Sequence, residues 1–236
     1  MGYPEDSMRE NCYASHYAEI AIKNYYIIQE VFEQYNGKQL DSKIVGEIRK
    51  IFNKQAICCV FAEMAIESYF NDYAAACLGD KAFYDEFDKL SVIGKFQLIV
   101  NLIWRKDFDK SQSYYSSLKT LVKDRNDLVH NKSTAMSLVD IERCEKCLNG
   151  EEPTDFTYEK YLNSKLLMIK DALREAKEYV NAMVRIAKFF HENDKEARPF
   201  VRLFSSICEH PQFELAKRFS KEFEFKWGHE ILGLHD

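Results

Sequence analysis

Turn-making residues are scarce in this chain, with eight Gly and four Pro among 236 residues. A fold of many short strands needs turn signals every 8–12 residues or so, so this shortage argues against a β-rich architecture and for a few long helices. An excess of positive charge is missing too: 33 Lys and Arg face 38 Asp and Glu, a net charge of -5. That balance excludes coating nucleic acid through bulk electrostatics, though it leaves room for a local basic site. No apolar run approaches the ~20 residues of a membrane span, and no basic segment followed by an apolar one opens the chain. Neither membrane anchor nor signal peptide is expected, and the expected location is cytoplasmic. Seven cysteines is an odd count, and Cys58 and Cys59 are adjacent in an apolar run. Neighbouring thiols on a helix diverge and pair poorly, so reduced, buried cysteine is expected. No Gly-rich phosphate loop, serine nucleophile elbow or Glu-x-x-His pair occurs. Cys144-x-x-Cys147 is a single pair, with Cys208 and His210 far along the chain. No metal site and no cofactor are expected from it.

Aromatic residues are abundant instead: 17 Phe and 14 Tyr can build a sizeable core. Apolar residues recur at helical spacing over 13–35, and Asn36-Gly37 supplies a stop. Asp41 or Ser42 caps a very long second helix ending near Gly79. Residues 56–66 of it are apolar on nearly every side except at Glu63, which predicts a helix enclosed by others. One or two helices cover 80–104, broken near 91–94, and a polar loop spans 107–113. A helix follows over 114–130, then a short one over 138–148. Asn149-Gly150-Glu151-Glu152-Pro153 is the clearest linker. Thr154 or Asp155 caps a helix to about His191, and shorter helices follow, with Pro199 and Pro211 near their first turns. The expectation is an all-α helical bundle with a long central helix: a core over 13–150 and C-terminal helices over 154–236 that complete or extend it.

One helix breaks its own pattern. At 100° per residue, Leu118, Leu121, Val122, Leu128 and Val129 share a stripe, and Arg125 sits in its middle. A guanidinium keeps its proton, so it must find an acceptor, reach water or sit at a subunit interface. Glu63 on the central helix is the obvious partner, with Glu67 one turn later the second choice. Beside the stripe, Lys119, Lys123, Asn126 and His130 share a face about 60° wide. Cations for a phosphate and a group that exchanges protons near neutral pH are what phosphodiester chemistry needs. The plainer reading makes Arg125 half of a buried ion pair and the two lysines a solvated face.

The run Arg125-Asn126-Asp127-Leu128-Val129-His130 resembles the HEPN superfamily, whose motif is an Arg followed after a few residues by His, often with a polar residue directly after the Arg. The preceding long helix with acidic residues, here Glu63 and Glu67, fits as well. The resemblance covers 13–179, and no family pattern is found over 197–236. It implies a helical bundle, a homodimer and a metal-independent endoribonuclease of the toxin-antitoxin or phage-defence kind, with RNA as substrate and a cognate antitoxin as a possible protein partner. It further implies that two motifs meet across a two-fold axis, with His130 as general base or acid, Arg125 on the phosphate, and Asn126 orienting His130 or donating to a phosphate oxygen. Lys119 and Lys123 would contact substrate. The family also holds inactive members, so a non-catalytic interaction module stays open.

Overall fold

A computed structural model of the chain describes residues 13–130, 158–208 and 213–224. Among the described residues there are eight α-helices and no strand, so the protein is an all-α bundle. Helix α1 is Ala14–Tyr35 and α2 is Lys43–Leu78. The reversal between them uses Gly37 at φ 74°, a left-handed conformation that costs glycine nothing. Of the two expected caps it is Asp41 that acts: its Oδ1 accepts the Lys43 N–H at 2.9 Å, while the Ser42 side chain makes no capping bond. Gly79, at φ 83°, ends α2.

A short α3, Asp80–Ala82, runs into a π-helical turn, Phe83–Phe87. Ser91 then caps α4, Val92–Leu98, by accepting the Gly94 N–H at 3.2 Å, which is the break expected near 91–94. Helix α4 continues as a second π turn, Ile99–Ile103. Helix α5 is Ser113–Val129 and α6 is Tyr158–Asn193. Pro199 opens α7, Pro199–Phe204, where its missing N–H is not needed, and α8 is Phe213–Glu222. The short helix expected over 138–148, the 149–153 linker, Cys144, Cys147, His210, Pro211 and Trp227 lie outside the described residues. No described helix is long and apolar enough to cross a membrane.

Helix α2 is the spine, packing on α1, α5 and α6. The hub of the core is aromatic. Phe190 of α6 stacks on Phe70 at 5.5 Å and meets Tyr69, Tyr73 and Trp104 edge-on at 4.9, 5.2 and 4.8 Å. The Trp104 indole N–H donates to the Tyr73 hydroxyl at 2.6 Å, and that hydroxyl donates to Asp194 at 2.6 Å, so the polar tips of the hub are paired as burial demands. The C-terminal helices close the other flank. Arg202 pairs with buried Asp72 at 2.5 Å, Phe223 meets Tyr25 edge-on at 5.9 Å, and the Arg218 guanidinium lies 4.1 Å from the Tyr26 ring centre.

Two sequence expectations need correction. Helix α2 is not enclosed over 56–66: Cys58, Cys59, Ala62, Glu63, Ala65 and Ile66 are buried, but Ala56, Ile57, Val60, Phe61 and Met64 remain half-buried. Its neighbours leave part of its surface open, and apolar composition alone cannot tell a partly covered helix from an enclosed one. The apolar stripe of α5 is likewise covered for only part of its length. Leu118 and Leu121 are buried, whereas Leu128 and Val129 are about half exposed at the end of the helix.

Candidate functional site

The site grows from a conflict between helix periodicity and charge. Arg125 projects from α5 toward α2, where the stripe asks for an apolar side chain, and meets Glu63. The Nε to Oε2 distance is 3.6 Å, with the Glu63 side chain 4% and the Arg125 side chain 30% exposed. These are the neighbours that the sequence named first. The pair is loose: neither Arg125 Nε nor Glu63 Oε2 has a hydrogen-bond partner, although both atoms are buried. The guanidinium instead donates from Nη1 to Asn126 Oδ1 at 3.0 Å. Asn126 is therefore oriented by Arg125.

Glu67, the second choice for Arg125, is taken by a residue that the sequence reading passed over. Lys95 of α4 is 1% exposed and its Nζ lies 2.7 Å from Glu67 Oε1. The signal was present: Lys95 interrupts the buried series Val92, Phe96, Ile99, Val100 and Ile103 just as Arg125 interrupts its own stripe. Two carboxylates one turn apart on α2 thus face two cations, one from α4 and one from α5.

Burial holds the Glu63 carboxyl at a pKa of about 7, well above the usual range. Desolvation is the largest cause and the Glu67 charge adds to it, while Arg125 and Lys95 oppose them. A carboxyl whose folded pKa exceeds its unfolded value binds its proton more tightly when folded. It therefore favours folding most below the unfolded value of 4.5, and stability falls as pH rises through 7. Glu63→Gln, which mimics the protonated form, is expected to raise stability by about 3 kcal/mol above about pH 8 and by almost nothing below about pH 4. Urea unfolding at the two pH values measures it. An equal gain at both would show that Glu63 does not titrate as described.

Lys119, Lys123, Asn126 and His130 do share one side of α5, and all but Asn126 are exposed. They differ in freedom. Lys123 Nζ is 2.9 Å from Asp127 and 3.8 Å from Asp124, and the hydrogen bond to Asp127 raises its pKa. Lys119 meets no carboxylate among the described residues. His130 terminates α5: its N–H donates to the Asn126 carbonyl at 2.9 Å, and its ring is exposed. Arg125 and His130 are separated by about 140° around the helix axis. Within one chain the guanidinium is directed to α2 while the imidazole leaves from another side.

The flank beside α6 is acidic. Asp124, Asp127 and Glu175 line a cleft of 340 Å³ floored by Phe52, Leu128 and Tyr179. The Tyr179 hydroxyl donates to Asp124 at 3.3 Å. Phosphate would be repelled here, so the open approach to the motif is the Lys119 and His130 side. Cys59, buried near this flank, has its thiol pushed up to about 12, chiefly by burial, which leaves it protonated and unreactive.

Compared with protein-family models, curated proteins and solved structures, the chain finds no match in any of the three. The kinship suggested by Arg125 to His130 therefore rests on those residues and their setting.

Proposed function

We propose that this chain is a metal-independent endoribonuclease whose site is completed by a second copy of itself, as in toxin-antitoxin or phage-defence nucleases of the HEPN kind. What supports this reading is the state of Arg125. A permanent cation stands at a core position, beside a carboxyl that hydrogen-bonds it nowhere and is half-protonated near pH 7, and about a third of its side chain reaches solvent. An ion pair that served stability alone would close its hydrogen bonds.

In a two-fold dimer the half-exposed Leu128 and Val129 bury against their mates, and two Arg125 and two His130 side chains face one cleft. An RNA phosphate relieves the repulsion between them. One imidazole takes the proton of the ribose 2′-hydroxyl as its oxygen attacks the adjacent phosphorus. Arg125 binds the non-bridging oxygens as negative charge builds on them. The bond to the 5′-oxygen breaks, and the second imidazole supplies that oxygen with a proton. The products are a 2′,3′-cyclic phosphate and a 5′-hydroxyl end.

The test is incubation of purified protein with single-stranded RNA in excess chelator. Cleavage leaving cyclic phosphate ends, DNA left whole, and loss of cutting in His130→Ala are the expected results. Intact RNA, or equal cutting by His130→Ala, overturns the proposal. A second reading, a non-catalytic module that binds a protein partner such as an antitoxin, is favoured by one observation: Asp124 and Asp127 neutralise Lys123 and make the flank acidic. That reading predicts intact RNA together with binding of a basic partner, which Asp127→Lys abolishes.

A further inference from the structure

A second group of cations collects away from the motif. Beside α4, the loop that leads into α5 forms an open surface pocket of 580 Å³ lined by Arg105, Lys106 and Lys110, with Gln97, Asn101 and a single carboxylate, Asp107. The volume is that of a small-ligand site. Three cations against one acid give this wall a local excess of positive charge in a chain of net -5. Arg105 and Lys110 meet no carboxylate within ion-pairing distance among the described residues, and both are exposed. Lys106 is steered by Asn193, whose Oδ1 accepts from its Nζ at 2.6 Å. Gln97 and Asn101, four residues apart in the chain, line the same pocket and offer amide donors and acceptors. The floor is firm, because Phe108 meets Phe96 edge-on at 5.3 Å and Tyr115 edge-on at 5.1 Å.

We infer that this cavity binds the phosphate groups of a nucleotide, carried by a single strand of RNA or free in solution. Guanidinium and ammonium groups lining one pocket match a multiply charged oxyanion, and Arg105 provides the planar fork that phosphate oxygens accept. The neighbouring amides suit the hydroxyls and base edges that accompany a nucleotide phosphate. At the Arg125 motif, by contrast, Lys123 is already neutralised by two aspartates. The cavity adjoins the start of α5 and the motif its end. Arg125 follows the first residue of α5 by twelve positions, about 18 Å along the helix, so one mononucleotide cannot touch both. The inference goes beyond the nuclease reading and does not depend on it.

The test uses the full chain carrying Arg125→Ala and His130→Ala, so that no probe is consumed. A fluorescein-labelled short single-stranded RNA is titrated by anisotropy over a series of salt concentrations, and ADP is titrated by calorimetry. Adding Arg105→Gly and Lys110→Gln is expected to weaken RNA binding about tenfold and to flatten the salt dependence by about 1.4, the share of two phosphates on a single strand. Arg105 lies at φ 53°, which glycine adopts freely, so this variant should melt no lower than its parent. Lys110→Arg should retain binding, and Arg105→Lys, which keeps the charge but not the fork, should retain it in part. Loss of ADP binding in the same variant assigns the cavity to a free nucleotide as well, and RNA binding without ADP binding assigns it to a strand. Unchanged affinity and slope in the Arg105→Gly, Lys110→Gln variant, or binding of neither probe by the parent, overturns the inference. RNA held here but cut by no form of the protein would retire the nuclease reading and leave the cavity standing.

Discussion

Arg125→Ala should lower RNA cleavage by about 10²–10³-fold while leaving the fold intact. On the proposed mechanism, the size follows from removing one preorganised cation from the place where negative charge accumulates during attack. The survival of the fold follows from the geometry. Arg125 contributes no hydrogen bond to Glu63, and its guanidinium is partly in water, so little packing is lost. Without Arg125, the largest of the influences that lower the Glu63 pKa disappears, and the carboxyl holds its proton further into the neutral range. A protonated carboxyl tolerates burial, so the truncation leaves no stranded charge. Arg125→Lys keeps the charge but not the fork, and recovery should be partial. Initial rates on labelled RNA beside circular-dichroism melts separate the two effects. Wild-type rates in Arg125→Ala would end the assignment, whatever the melts showed.

The largest loss of stability should come from Phe190→Ala, about 3–5 kcal/mol. Phe190 is fully buried and its ring touches partners from α2, Trp104 just after the second π turn, and its own helix. Its neighbours are rings held by one another and by the Tyr73 to Asp194 hydrogen bond, so they cannot slide in to fill the void. At this chain length the midpoint of thermal unfolding should fall by roughly 10 °C. Phe190→Leu, which leaves most of the volume filled, should cost about 1.5 kcal/mol. A loss below about 1 kcal/mol for the alanine variant would mean that the rings collapse into the gap and that no rigid hub exists.

Most of the helical order could be read from spacing. Gly79 and Ser91 mark real boundaries, and Arg125 did find Glu63, because a cation on a buried stripe has few acids within reach. What stayed hidden was of three kinds. Lys95 carried the same signal as Arg125, but in a segment where two helices merge through π turns and blur the period. The neutralising of Lys123 by Asp127 is an i, i+4 contact that spacing permits and does not enforce, so the lysines read as free. The cavity at Arg105 depends on a loop brought against the start of α5 by Phe108, and no local pattern announces such a meeting.

Trp104 is one of only two tryptophans in the chain, and it is pinned at the centre of the ring cluster by its bond to Tyr73. With Trp227→Phe, the molecule carries a single intrinsic lamp. Its emission should redden when the bundle loosens and stay unchanged when RNA meets the proposed site at the far end of α5, so loosening and binding can be watched on separate channels.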